Sequence, residues 1–158
     1  MIAEHPSVAR VRAHAAERGL DLDIRRFGAS TRTARDAARE IGTTVERIVK
    51  SLVFIGEHGV VLVLCSGPTR VDERKLAAAL GVSYVRRATA DEAKRSTGYA
   101  IGGVPPFAHT GFCRVVCDRA LLALDEVWAA AGLSDAVFPI RPDDLVRVSG
   151  AAIADVAA

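Results

Sequence analysis

Two stretches of the chain carry residues whose types and spacing can do chemistry. The first is YAIGGVPPFAH, residues 99–109, where two adjacent glycines stand one residue ahead of two adjacent prolines and a histidine closes the run. Gly102 and Gly103 have no Cβ, so a ligand can approach the main chain closely, and the amides of Gly102, Gly103 and Val104 can point at a ligand oxygen. Pro105 and Pro106 freeze φ and reduce the entropy lost in holding that shape. A rigid crossover turn without a ligand accounts for the same spacing equally well. The second stretch is KSLVFIGEHGVVLVLCSG, residues 50–67, in which Lys50 and Ser51 head a strand of otherwise unrelieved aliphatics. A lysine ammonium is seldom found at the rim of a buried strand without a partner, although its long stem also lets it reach solvent from an edge.

Other chemistries find little support. His5, His14, His58 and His109 include no two at metal-ligand spacing with a cysteine or carboxylate, so no metal site is expected. Cys113 and Cys117 stand four apart on an expected strand and share a face, which suits core packing, whereas a redox pair needs Cys-x-x-Cys. The phosphate-binding G-x-x-x-x-G-K-[ST], the nucleophile elbow G-x-S-x-G and the metalloprotease H-E-x-x-H are all absent. Arg70, Arg74 and Lys75 form a modest basic cluster for which solvated charge is favoured over phosphate contact. With 21 Lys and Arg against 19 Asp and Glu, the formal charge of +2 is no bulk nucleic-acid-binding excess. An odd number of cysteines and a start without a basic segment followed by an apolar one predict a reduced, cytoplasmic protein. Its longest apolar runs fall far below the roughly 18 residues of a membrane span, so no membrane contact is expected.

The elements that must position these residues follow from periodicity and capping. Val8, Val11 and Ala15 share one side of a helix over 7–18 that Gly19 stops, and 23–27 reads as a short strand. Thr33 and Gly42 bracket a second helix, and Thr43 with Glu46 matches a capping box for one or two turns over 44–49. Residues 50–66 read as a hairpin turned by Gly-Glu-His-Gly, its nearly continuous apolar arms buried on both faces in mid-sheet. A helix over 72–80 ended by Gly81, a strand over 82–85 and a helix capped by Thr89 and Glu92 and running to Thr97 come next. Strands over 113–117 and 136–140 and a helix over 142–148 complete the pattern, while DEVWAAAGLSDAVFPI, residues 125–140, fits a helix or a hairpin. The sum is an α+β (mixed α/β) fold in a single domain over 1–158, with a central, mostly antiparallel or mixed sheet of about six or seven strands and flanking helices.

Taken together, TRTARDAAREIGTTVERIVKSLVF, ERKLAAALG, TGYAIGGVPPFAH and DRALLALDEVWAAAG resemble the YbaK and prolyl-tRNA-synthetase-associated domain family, the trans-editing aminoacyl-tRNA deacylases. The resemblance runs from about residue 24 to the C-terminus, and its most specific pieces are the lysine heading an aliphatic strand and the Gly-Gly-Val-Pro-Pro loop. It implies a YbaK-like fold and hydrolysis of the ester between a wrongly attached amino acid and the 3′-terminal adenosine of a tRNA, above all tRNA charged by prolyl-tRNA synthetase. It also implies a catalytic pair, Lys50 and Gly103, with Lys50 acting by position and charge and the main chain of 102–106 holding the aminoacyl carbonyl and the attacking water. Phe27, Ser51, Gly102, Val104, Pro105 and His109 are implied as substrate-binding residues, with no metal or other cofactor. The implied partners are the 3′ aminoacyl-adenosine end of mischarged tRNA and prolyl-tRNA synthetase. Members that remove cysteine carry Ser-Ala-Gly where this chain has Ala130, Ala131 and Gly132, and a tyrosine roughly where Phe27 stands. The expected substrate side chain is therefore another small one, such as alanine, serine or threonine. The alternative is a non-catalytic aminoacyl- or nucleotide-binding module acting as a synthetase adaptor; retention of Lys50 and of the whole loop favours the enzyme.

Overall fold

In the computed structural model, which describes residues 4–27 and 33–158, helices and short strands alternate. The elements are α1 Pro6–Glu17, β1 Arg25–Arg26, α2 Ala34–Ile41, β2 Val49–Gly56, β3 Gly59–Ser66, α3 Glu73–Leu80, β4 Val85–Arg87, α4 Ala90–Thr97, β5 Arg114–Asp118, β6 Val127–Ala130, β7 Ala136–Ile140, α5 Pro142–Ser149 and β8 Ala152–Ala154. The α+β class stands, but the strands divide between two sheets in place of one: a mixed sheet ordered β4-β2-β3-β5-β8 and an antiparallel sheet ordered β1-β7-β6. The division has a local cause. On its side away from β3, β2 pairs with β4 only from Phe54 to Gly56, and the other sheet reaches that side through a single parallel bridge, Ile48 to Trp128.

The β2–β3 hairpin forms as expected and occupies the middle of the larger sheet. Both of its faces are covered, which is why its arms are apolar without alternation. One face, bearing Val49, Val53, Leu62 and Leu64, packs on α1, α5 and the inner face of the small sheet, including Ala129 and Phe138. The other, bearing Phe54, Val61, Val63 and Cys65, lies under Leu76, Ala77 and Leu80 of α3. A third cluster sets Ala37 and Ala38 of α2 over Ile48, Trp128 and Val137 on the outer face of the small sheet. Burial pushes the thiols of Cys113 and Cys117 up to about 11 and about 12; Cys117 is buried within β5 as expected, whereas Cys113 falls just before the strand, is only partly buried and borders a cleft.

Two segments depart from the sequence expectation, and a third takes one of the two forms left open for it. Residues 44–49 do not form a capped helix: a single 3₁₀ turn, Val45–Arg47, has no side-chain cap, and the strand starts at Val49. The turn after β3 holds this segment, since Ser66 Oγ donates to the Glu46 carbonyl at 2.6 Å and a Cβ on Gly67 would overlap the Val45 carbonyl. Strand β4 begins at Val85, because the Val82 amide is still used in closing α3, donating to Ala77 at 3.0 Å. Residues 125–140 resolve as the β6–β7 hairpin. Gly132 turns it with φ +97° and packs so tightly on α1 that a Cβ would lie 2.9 Å from the Ser7 carbonyl oxygen.

Helix α4 carries the full capping box: Thr89 Oγ1 accepts from the Glu92 amide, and Glu92 accepts from the Thr89 amide at 2.9 Å. Arg86, donating to both carboxylate oxygens at 2.8 Å, and then the Thr89 amide hold the Glu92 carboxyl down to about 2. A depressed carboxyl contributes stability that is present above its ordinary value near 4.5 and is lost as pH falls toward about 2. Thr89→Ala is expected to cost about 1 kcal/mol, and Glu92→Gln to flatten the acid limb of the stability curve. Thermal unfolding followed from neutral pH down to about pH 2 checks both. Among the described residues no helix is long and apolar enough to cross a membrane.

Candidate functional site

The site begins with a strand edge. The two-residue turn Glu57-His58 makes Gly56↔Gly59 the closing pair of the hairpin, so Gly56, Phe54, Leu52 and Lys50 exchange main-chain bonds with β3 while the residues between them bond outward. Accordingly the Glu57 amide donates to Tyr84, and the Val53 carbonyl accepts from Ala88 at 3.0 Å. Strand β4 starts and ends within that span, so the next outward residue, Ser51, presents its N–H and C=O to no strand among the described residues. It faces a cavity of about 280 Å³. Residues 48–52 form one wall, Trp128, Ala130 and Val137 of the small sheet another, and Ala34 and Ala37 of α2 a third; Ile101, Gly102 and Val104 close the remaining side.

The pleat sends Lys50 and Ser51 to opposite faces of β2. Lys50 lines the cavity and its Nζ donates to the Thr69 carbonyl at 2.5 Å, which leaves two of the three ammonium protons for other acceptors. Ser51 Oγ is buried and has no hydrogen-bond partner among the described residues. An orphaned buried hydroxyl costs about 1–3 kcal/mol, a cost that a ligand atom bonded to it would remove. No carboxylate is among the residues lining the cavity, and among the described residues no three His, Cys, Asp or Glu side chains gather as metal ligands.

The glycine-proline loop is built as a closed unit. Thr110 donates to the Thr97 carbonyl at its base, and the buried Tyr99 hydroxyl donates to the Ala108 carbonyl at 2.7 Å. Ala100, Ile101, Gly102 and Gly103 make a type II turn, with Gly102 at φ +93° and the Gly103 amide donating to Ala100 at 3.0 Å. The expectation that Gly103 offers a free amide to a ligand is thereby corrected. That N–H is used inside the turn, the residue does not line the cavity, and a Cβ on it would stand 2.9 Å from the Cα and carbonyl carbon of Leu133. Gly102 and Val104 do line the cavity.

Of the remaining expected residues, Pro105 is buried behind the loop, where its carbonyl is 2.7 Å from His109 Nε2. Burial holds His109 below the usual 6.5, and its ring borders a second cleft, beside Phe107 and His14. Phe27 packs on the α2 cluster with Trp128 and Val137, and its amide donates to Asp135 at 2.9 Å. Lys50, Ser51, Gly102 and Val104 are thus brought around one cavity, while Gly103, Pro105, His109 and Phe27 stand behind its walls. Sequence reasoning missed Trp128 and Val137, whose alternation along a hairpin was obscured by the helix-favouring alanines of 129–131, while Ala130, singled out through the resemblance, does line the cavity.

A model of the aminoacyl-tRNA editing domain matches residues 29–148. The uncharacterized protein YwhH of Bacillus subtilis (strain 168) is 31% identical over 144 residues, covering 90% of this chain and 91% of YwhH. Proline–tRNA ligase of Xanthomonas axonopodis pv. citri (strain 306) is 34% identical over 105 residues, which are 66% of this chain and 19% of the ligase. A solved structure described as a candidate trans-editing enzyme for prolyl tRNA synthetase superposes with a TM-score of 0.92 at 42% identity, covering 99% of each chain.

Proposed function

Because the chain belongs to the aminoacyl-tRNA editing domain family, matched over residues 29–148, we propose that it hydrolyses the ester joining a small uncharged amino acid to the 3′-terminal adenosine of a tRNA, acting in trans on the product of prolyl-tRNA synthetase. The observation that carries this reading is the β2 edge, unpaired among the described residues, where Lys50 and Ser51 meet Gly102 and Val104 around a mostly apolar cavity that Thr33 and Ser134 also line. Hydrolysis requires water to add to the ester carbonyl, whose oxygen gains negative charge. The intermediate then collapses with expulsion of the ribose oxygen, which takes up a proton. Negative charge on the carbonyl oxygen is met by the spare donors of Lys50 and by the outward N–H of Ser51, and fixed donors of this kind lower such barriers by about 3 kcal/mol each. The Ser51 carbonyl and Oγ are acceptors for the substrate's amino group, and the main chain of Gly102 and Val104 orders the attacking water from the opposite side.

The apolar remainder, with Ile48, Leu52 and Val137, disfavours charged side chains and excludes bulk water. At about 280 Å³ the cavity falls just under the range of about 300–1,000 Å³ usual for whole small-molecule ligands, so it suits the aminoacyl end and leaves the nucleotide on the rim. Incubation of the pure protein with alanyl-, seryl-, threonyl- and cysteinyl-tRNA tests the reading. Release of at least one of the first three amino acids above the spontaneous rate is expected. Tight binding of all four without turnover of any would establish the adaptor in its place.

A further inference from the structure

The small sheet carries a cation in line with the cavity. The register Arg25↔Val137 between β1 and β7, and Ala130↔Val137 between β6 and β7, sets Arg25, Val137 and Ala130 in one row across the sheet. Directly opposed residues share a face, and so does Trp128, two residues before Ala130. Val137, Ala130 and Trp128 all line the cavity, and Arg25 therefore ends the same row about two strand spacings, roughly 10 Å, from Ala130. The Arg25 guanidinium carbon lies 4.8 Å from the centre of the Trp128 ring. Its charged partner is Asp23 at 3.1 Å, and both side chains of that pair are more than half exposed. An exposed pair of this kind is worth about 0–1 kcal/mol, so an incoming monoanionic phosphodiester can displace it. A guanidinium held over an indole by cation–π attraction, with only an exposed carboxylate as its charged partner, retains N–H donors that can grip phosphate oxygens in pairs.

We propose that Arg25 is a positioning residue that holds the phosphodiester of the nucleotide whose aminoacyl ester enters the cavity. The inference rests on the deacylase reading above, in which the aminoacyl end occupies the cavity and the nucleotide lies outside it, and on the row that runs from the lining residues Ala130 and Val137 to Arg25. Arg26 supplies a built-in control: it belongs to the same two-residue strand, is similarly exposed, and faces the other way, toward Asp135 at 3.2 Å.

The test compares two substrates of the wild-type protein and of Arg25→Ala, Arg25→Lys and Arg26→Ala: aminoacyl-tRNA, and the same amino acid esterified to adenosine without phosphate. Arg25→Ala is expected to raise KM for the tRNA about tenfold with a smaller change in kcat, and to shift its salt dependence by about one phosphate contact. Its effect on the phosphate-free ester is expected to be several times smaller, Arg25→Lys to fall between, and Arg26→Ala to leave the ratio of the two substrates as in wild type. Equal losses on both substrates would make Arg25 a mere support for Trp128 and overturn the proposal, as would no loss on tRNA or the same loss from Arg26→Ala. If the wild-type protein hydrolyses neither ester, the deacylase reading itself fails and the role of Arg25 falls with it; an active wild type with an unaffected Arg25→Ala removes only the latter.

Discussion

Lys50→Ala is expected to lower the single-turnover rate of ester hydrolysis at least a hundredfold and to leave the fold in place. The expectation follows from where the charge stands. Lys50 is the second residue of β2, its stem lies along the cavity wall, and its ammonium is fixed by one bond to the Thr69 carbonyl. Removing a fixed donor beside a developing oxyanion typically costs about 10²–10³ in rate. Removing one half-buried side chain with a single hydrogen bond costs about 1 kcal/mol in stability, too little to unfold the domain. Lys50→Arg retains the charge but exchanges a compact ammonium for a planar fork too large for the same place beside Thr69, so it is expected to recover only a small part of the rate. Single-turnover deacylation and circular dichroism on the same preparations decide the matter. A loss below threefold with an intact fold would take Lys50 out of the mechanism.

What could be read from the sequence, and what could not, follows from the range of the interactions involved. Caps are local, and the helices bracketed by Thr33 and Gly42, by Asp72 and Gly81 and by Thr89 and Gly98 begin and end where these residues put them. The β2–β3 hairpin was equally legible, because its turn and its aliphatic arms lie within one short stretch. The division into two sheets was not, since it depends on β4 pairing with only three residues of β2, a long-range fact with no local signature. That division shapes the candidate site: it leaves Ser51 at an edge unpaired among the described residues and lets the small sheet stand across from it. The same reasoning explains the mixed outcome for the glycine loop. Its rigidity was visible in the paired glycines and prolines, but which glycine faces the cavity depends on Leu133, thirty residues further along.

Gly103→Ala is therefore expected to act through the walls of the site and not by removing a donor from it. The Gly103 amide is already bound to Ala100, and its α-carbon rests against the β6–β7 turn, where an added Cβ would come within 2.9 Å of two main-chain atoms of Leu133. Backbone on both sides cannot yield as a side-chain tip does, so the loop must back away from the turn or the turn from the small sheet. Either movement shifts Gly102 and Val104 relative to the β2 edge. Overpacking of this kind costs about 1–3 kcal/mol, and a displacement near 1 Å at a catalytic wall can cost about a hundredfold in rate. Loss of stability and loss of deacylation are thus expected together, with Gly103→Val worse in both. Gly102→Ala provides the contrast: its Cβ would find only the Ser134 Cβ, at 3.7 Å, so its penalty is the left-handed φ alone, about 1–2 kcal/mol, with the loop kept near its place. Thermal unfolding and single-turnover rates of the three variants distinguish the cases. A Gly103→Ala protein as stable as wild type but inactive would return the Gly103 amide to the chemistry; one that is destabilised and slowed in step places the residue behind the wall, as the hinge on which the cavity's width depends.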